Sequence, residues 1–117
     1  MSRIFDAQYA EMAQRIVRRH FNKKITATQI AAEVGVSEST LKRAFKNHFQ
    51  IGIYEFQLQL RMERAKELLE QGGHSIKTVA WQVGYKRQSA FARRFKEYYG
   101  VNALTWALRL SVEATEK

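Results

Sequence analysis

Residues 29–49 read QIAAEVGVSESTLKRAFKNHF, and the pattern is that of two short helices meeting at a tight corner. Ile30, Ala31 and Val34 give the first helix one apolar face. Gly35 follows, the residue type that most readily takes the positive φ that ends a helix, and Ser37 stands where a hydroxyl caps the next one. In that second helix Leu41, Ala44, Phe45, His48 and Phe49 recur at helical spacing as an inner stripe, while Ser39, Lys42, Arg43 and Lys46 recur on the other side. The outer stripe is basic and turned to solvent, as a helix entering a major groove of DNA needs to be.

Upstream, Tyr9, Met12, Ala13, Ile16, Val17, His20 and Phe21 keep the helical period and predict a first helix from about Ala7, capped by Asp6, to about Phe21. Arg15, Arg18 and Arg19 lie off that stripe. Asn22-Lys23-Lys24 forms a corner, and Thr26-Ala-Thr-Gln29 fits a capping box that starts the next helix. Downstream, Gln50-Ile51-Gly52 is a second corner. From Ile53 to Gln71 runs the longest periodic segment, stopped by Gly72-Gly73. Its apolar residues divide, with Ile53, Phe56 and Leu60 on one side and Leu58, Met62, Ala65 and Leu69 nearly opposite. A helix apolar on two sides is buried between two bodies, so this segment is expected to be a rigid connector.

Beyond Gly73 the opening pattern returns. Val79, Ala80, Val83 and Gly84 repeat Ile30, Ala31, Val34 and Gly35 at an offset of 49 residues. Phe91, Arg93, Phe95, Lys96 and Tyr99 repeat Leu41, Arg43, Phe45, Lys46 and Phe49 at an offset of 50, so the second copy has one extra residue in its turn. Two copies fall short of the three or so repeats a solenoid needs, and two helix-turn-helix units joined by a helix explain them better. After Gly100, Asn102 is placed to cap a short helix carrying Leu104, Ala107 and Leu108, with Trp106 docking on the second unit; the polar tail after Ser111 is expected to fray. The fold class expected is all-α, about seven helices: a first helix-turn-helix subdomain over residues 1–52, a connector over 53–71, and a second subdomain with a C-terminal helix over 72–117.

The 117 residues, 45% hydrophobic and 26% charged, suit one modest domain or two very small ones, and a formal charge of +9 points to a polyanionic partner. Residues 37–49 carry a net +2 and residues 86–97 a net +4, against −1 for the connector. No cysteine is present, so disulfides and thiolate metal sites are excluded. No apolar run approaches the roughly 18 residues of a membrane span, and MSRIFDAQ lacks the layout of a signal peptide. A soluble protein of the cytoplasm, working at the nucleoid, is the expectation. His20, His48 and His74 lack metal spacing, and no phosphate loop, carboxylate pair or nucleophile–base arrangement stands out. No catalysis, metal or cofactor is therefore assigned.

Geometry asks base-reading side chains to lie on the outer face in the first two turns of each helix. In the first unit these are Ser39, Lys42 and Arg43, and in the second Gln88, Ser89, Ala92 and Arg93. Lys46, Lys86, Arg87, Arg94 and Lys96 are read as phosphate contacts, which set register and affinity. Leu41, Phe45, Phe91, Phe95, Tyr98 and Tyr99 occupy the inner stripes and are read as core, not base-stacking platforms.

The segment Ser75 to Gly100, SIKTVAWQVGYKRQSAFARRFKEYYG, resembles the AraC/XylS class of bacterial transcription regulators: a small hydrophobic helix, Gly-aromatic at the turn, aromatic-x-Arg-x-Phe-Lys, and a closing Gly. Arg61-Met62-x-x-Ala65 in the connector and Ser37-x-x-x-Leu41-x-Arg43-x-Phe45-Lys46 in the first unit match as well, and the resemblance extends over about Met12 to Arg109. The chain departs where the family usually has Gly, at Gln50, and where it has Pro, at Ile53 and Ala103. Both proline positions start helices, where the missing N–H is not needed, so the replacements cost little. A left-handed Gln50 would cost about 1 kcal/mol against Gly. The resemblance implies an activator that reads double-stranded DNA with two helices in successive major grooves, about 34 Å apart. It also implies a surface for RNA polymerase and base contacts at the positions named above. One chain would read a bipartite site as a monomer. The form is either a stand-alone regulator of the MarA/SoxS type or the C-terminal part of a longer, dimerising chain. The rival readings are an adaptor that binds RNA polymerase or another protein with weak DNA affinity, and a non-specific architectural or RNA-binding module.

Overall fold

The computed structural model describes the backbone of residues 3–116 and the side chains of residues 5–109. Among these residues the chain is all α, with seven helices: α1 (Arg3–His20), α2 (Ala27–Val34), α3 (Glu38–Phe49), α4 (Ile53–Gln71), α5 (Ile76–Gln82), α6 (Gln88–Tyr99) and α7 (Ala103–Glu116). It divides into two compact units, Met1–Leu60 and Arg61–Lys117, and the division falls inside α4.

In the first unit α1 supplies Ala10, Ala13, Ile16 and Val17 to a core shared with Ile30 and Ala31 of α2, Leu41 and Phe45 of α3, and Ile53 and Phe56 of α4. The Phe45 ring lies 4.8 Å from Phe49 and 5.6 Å from Phe56. The capping box is formed: Gln29 N–H donates to Thr26 Oγ1 at 3.1 Å, and Thr26 N–H donates to Gln29 Oε1 at 2.9 Å. Gly35 ends α2 at φ 92°, and Ser37 Oγ then accepts the Thr40 N–H at 3.2 Å to start α3. The first half of α4 is tied down by polar contacts too, with Tyr54 OH accepting the Ala27 N–H at 3.3 Å and Gln57 Nε2 donating to the Phe21 carbonyl at 3.3 Å.

Three sequence expectations for this unit need correction. Helix α1 starts a turn before Ala7, so Asp6 lies inside its first turn and not at a cap. Phe5 stacking on Tyr9 one turn later, at 6.3 Å, supports the extra turn, and the nearly buried Asp6 carboxylate accepts a long hydrogen bond from Asn47 Nδ2 at 3.5 Å. Met12 is 37% exposed, and Ala10 holds the fully buried position that the stripe needs. His48 is exposed, its Nε2 3.5 Å from Glu11 Oε1 and its ring edge-on to Phe49, so it sits at the margin of the inner stripe.

In the second unit Met62, Ala65, Leu68 and Leu69 of α4 are buried, as are Val79, Ala80 and Val83 around α5. Ser75 Oγ caps α5 by accepting the Thr78 N–H at 3.0 Å. Phe91 and Phe95 are fully buried, and their rings form a continuous run from Tyr85 to Tyr99 with centroid spacings of 5.8, 5.8 and 4.8 Å. Burial, with Tyr98, Glu63 and Glu70 nearby, pushes the Tyr99 phenol up to about 12. The Lys66 ammonium lies 5.7 Å from the Tyr99 ring and 5.4 Å from that of Trp106, which fixes Trp106 on this unit. Tyr98, expected in the core, is 42% exposed and meets Tyr99 edge-on. Asn102 Oδ1 caps α7 through the Thr105 N–H at 2.7 Å. That helix continues to Glu116 where fraying after Ser111 was expected, its last turns being free of Gly and Pro and holding the helix formers Glu113, Ala114 and Glu116.

The exits of α3 and α6 match in form and differ in residue. Gln50 takes φ 61° and Gly100 φ 79°, each donating its N–H back to the carbonyl of Lys46 or Lys96. Gln50 also donates its side-chain amide to the Asn47 carbonyl at 2.7 Å, which offsets part of the cost of a left-handed side chain.

Candidate nucleic-acid interface

Burial fixes which way α3 and α6 face. With Leu41, Ala44 and Phe45 fully buried, Ser39, Lys42, Arg43 and Lys46 of α3 are left exposed along one face. Their electrostatic situations differ. Lys42 Nζ lies 2.9 Å from Glu38 Oε1 and 5.5 Å from the Tyr54 ring, while Glu38 Oε2 accepts the Thr28 hydroxyl at 2.8 Å. The hydrogen bond from Lys42, then that from Thr28, hold the Glu38 carboxyl below the usual carboxylate range, and Glu38 in turn raises Lys42. Ser39 Oγ is 3.3 Å from Ser37 Oγ, close to the cap. Arg43 and Lys46 make no ion pair among the described residues.

On α6 the buried pair Phe91 and Phe95 leaves Gln88, Ser89, Arg93 and Lys96 exposed, with Ala92 half-buried between them. Lys86 and Arg87, in the turn before the helix, are exposed as well. Arg87 occupies the N-cap position with extended backbone and supplies no capping hydrogen bond, unlike Ser37 in the first unit. Arg94 Nη1 is 3.5 Å from Glu97 Oε2, the one ion pair of α6 among the described residues. Lys86, Arg87, Arg93 and Lys96 are free of ion pairs there.

Every residue assigned to the site in the sequence is thus solvent-accessible except Ala92, which is half-buried. The first unit gathers Ser39, Lys42, Arg43 and Lys46 on its helix, and the second gathers Gln88, Ser89, Ala92, Arg93 and Lys96 on its own. Lys42 and Arg94 are engaged by neighbouring carboxylates, and the other cations are available to phosphate or base edges. Sequence reasoning missed two features. Glu38 stands four residues before Lys42, a spacing that marks an ion pair on a helix. Trp81, 74% exposed on α5, lies off the stripe of Ile76, Val79, Ala80 and Val83, so the helical period already marked it as an outward-facing aromatic. No described helix is long and apolar enough to cross a membrane.

Comparison with known proteins places this geometry. A family described as "Helix-turn-helix domain" matches residues 30–109. The Msm operon regulatory protein of Streptococcus mutans is 30% identical over 92 residues, 79% of this chain and 33% of that protein. The lactose operon transcription activator of Staphylococcus xylosus is 26% identical over 96 residues, 82% of this chain and 34% of that protein. The chain therefore spans about a third of the length of these curated relatives. Among solved structures, the DNA-binding domain of AdpA, a global transcriptional factor crystallised with a target DNA, superposes with a TM-score of 0.83 over 92% of this chain and 97% of that one. At 18% identity this last likeness is one of fold.

Proposed function

The chain belongs to the AraC-type helix-turn-helix family of transcription regulators, and from that premise we propose that it reads double-stranded DNA by sequence, with one half-site for each recognition helix. The observation that carries the reading is the pair Arg43 and Arg93. Each is the sixth residue of its helix, each is exposed, and neither has an ion-pair partner among the described residues. A guanidinium so placed holds guanine O6 and N7 bidentately. Ser39 and Lys42 flank Arg43, and Gln88, Ser89 and Ala92 flank Arg93, as further base contacts; Gln88 suits adenine. Lys46, Lys86, Arg87, Arg94 and Lys96 bind phosphates.

The half-sites lie in successive major grooves, so that a single chain reads a bipartite, asymmetric sequence. The regulator acts as an activator, a role supported by the named activity of the Staphylococcus xylosus relative, and it meets RNA polymerase through a surface outside the two basic stripes. Competition between a selected duplex and scrambled duplexes over a salt series tests the reading. A sequence reader keeps its preference at about 0.15 M salt, whereas loss of all preference along a steep salt slope would leave only a non-specific binder.

A further inference from the structure

Beside the start of α6 lies a cavity of about 450 Å³, lined by Lys77, Thr78, Trp81, Tyr85, Lys86 and Gln88. Its lining has two lysines and no carboxylate, and it includes the Trp81 indole, 74% exposed. At 74% it is the most exposed of the large apolar side chains among the described residues, and it stands beside two lysines, so the cavity offers a flat apolar surface next to positive charge. The corresponding part of the first unit is built differently. Ala32 replaces Trp81, Thr28 replaces Lys77, and the Thr28 hydroxyl is already bonded to Glu38. The feature therefore belongs to the second unit and is not a by-product of the repeated fold.

We propose that this cavity seats one sugar-phosphate strand of the duplex beside the bases that Gln88 contacts, with Trp81 packing on a deoxyribose and Lys77 and Lys86 flanking the adjoining phosphates. The inference rests on the duplex-reading function above and extends its footprint onto α5. Two observations select a nucleic-acid strand over an acidic peptide. The cavity shares Gln88 with the proposed base contacts and Lys86 with the proposed phosphate contacts. Its lining combines a large flat ring with two lysines and no carboxylate, which suits an alternation of apolar sugar and anionic phosphate. The indole N–H is a further donor toward a phosphate oxygen.

The test uses the full chain and a duplex selected from a random pool, with scrambled duplex as competitor. Trp81→Ala weakens selected and scrambled duplexes alike, by about tenfold, and leaves the selected motif unchanged, because backbone contacts carry no sequence information. Lys77→Gln lowers the salt slope by about 1. In hydroxyl-radical footprints, Trp81→Ala exposes one short run of sugars and leaves other protections in place. Since Trp81 and Lys77 are exposed, both variants keep the thermal transition of the parent; should Trp81→Ala lower it, Lys77→Gln and the footprint decide. If the parent selects its motif and both variants bind and protect as it does, the clamp is wrong while the duplex reading stands. If Trp81→Ala alters the motif, Trp81 reads bases and the clamp is likewise wrong. A parent that shows no duplex preference at all overturns both.

Discussion

In the first unit the Glu38 carboxylate holds Lys42 at 2.9 Å and Thr28 at 2.8 Å, whereas fifty residues later the equivalent position is an exposed Gln88 with Lys86 and Arg87 just before it. Helix α3 is capped by Ser37 and cross-linked by its own side chains; α6 begins at Arg87 with no side-chain cap. Behind the two helices the apolar residues are nearly interchangeable, Leu41 and Phe45 against Phe91 and Phe95, all fully buried. A repeated core pattern thus fixes two equivalent folds, while the surface residues decide how much positive charge each leaves for a partner. The second unit leaves more, and should supply the larger share of affinity and of salt dependence.

The largest effects come from the shared core. Phe45→Ala and Phe95→Ala each should cost about 3–5 kcal/mol, since a fully buried ring leaves a cavity that its neighbours cannot fill. Amide exchange would show the loss mainly within the altered unit; equal loss in both would mean the units are not separate in stability. Next in size, Arg93→Ala should cost about 1–3 kcal/mol of binding to the selected duplex and relax preference at one or two base pairs. Titration with single-position duplex variants would show it, and an unchanged preference would remove Arg93 from the base readers.

The helix exits give a smaller, paired contrast. Gln50→Gly should stabilise the chain by about 1 kcal/mol or somewhat less, its side-chain bond to Asn47 being lost, and Gly100→Ala should destabilise by a similar amount through its positive φ alone. Chemical denaturation measures both, and opposite signs are required. Smallest is Glu38→Gln, which installs the second unit's residue in the first. Freed from its carboxylate, Lys42 becomes available to the duplex and a negative charge beside it is removed, so duplex affinity should rise and the salt slope steepen by about 1. An unchanged slope would mean that Lys42 stays held by Tyr54 or does not face the duplex.

Much of this was legible in the residues. Helical periodicity, the Thr26–Gln29 capping box, Ser37, and Gly72-Gly73 after Gln71 mark the elements because each has a local physical cause. The failures lie where the cause is not local. A 3.6-residue period leaves residues at the margin of a stripe undecided, and His48, Met12 and Tyr98 fell outside the core for that reason. Asp6 has the chemistry of a cap, yet the turn before it is helical, backed by Phe5 on Tyr9. The charge stripes were visible as stripes, and the pairs that tie up two of their cations were legible as well, Glu38 lying four residues before Lys42 and Glu97 three after Arg94. Trp81 was legible as outward-facing, being off the Ile76, Val79, Ala80 and Val83 stripe, but its exposure of 74% and the lysines that line the same cavity emerge only from the structure.

Selection of duplexes from a random pool by the parent chain, Arg43→Ala and Arg93→Ala, carried out side by side, tests most directly the claim that two unequal units each read their own half-site. The account predicts an asymmetric, two-part motif for the parent, in which Arg43→Ala blurs one part and Arg93→Ala the other, with the greater loss of affinity for Arg93→Ala. A motif of one part, or the same part blurred by both variants, would contradict it.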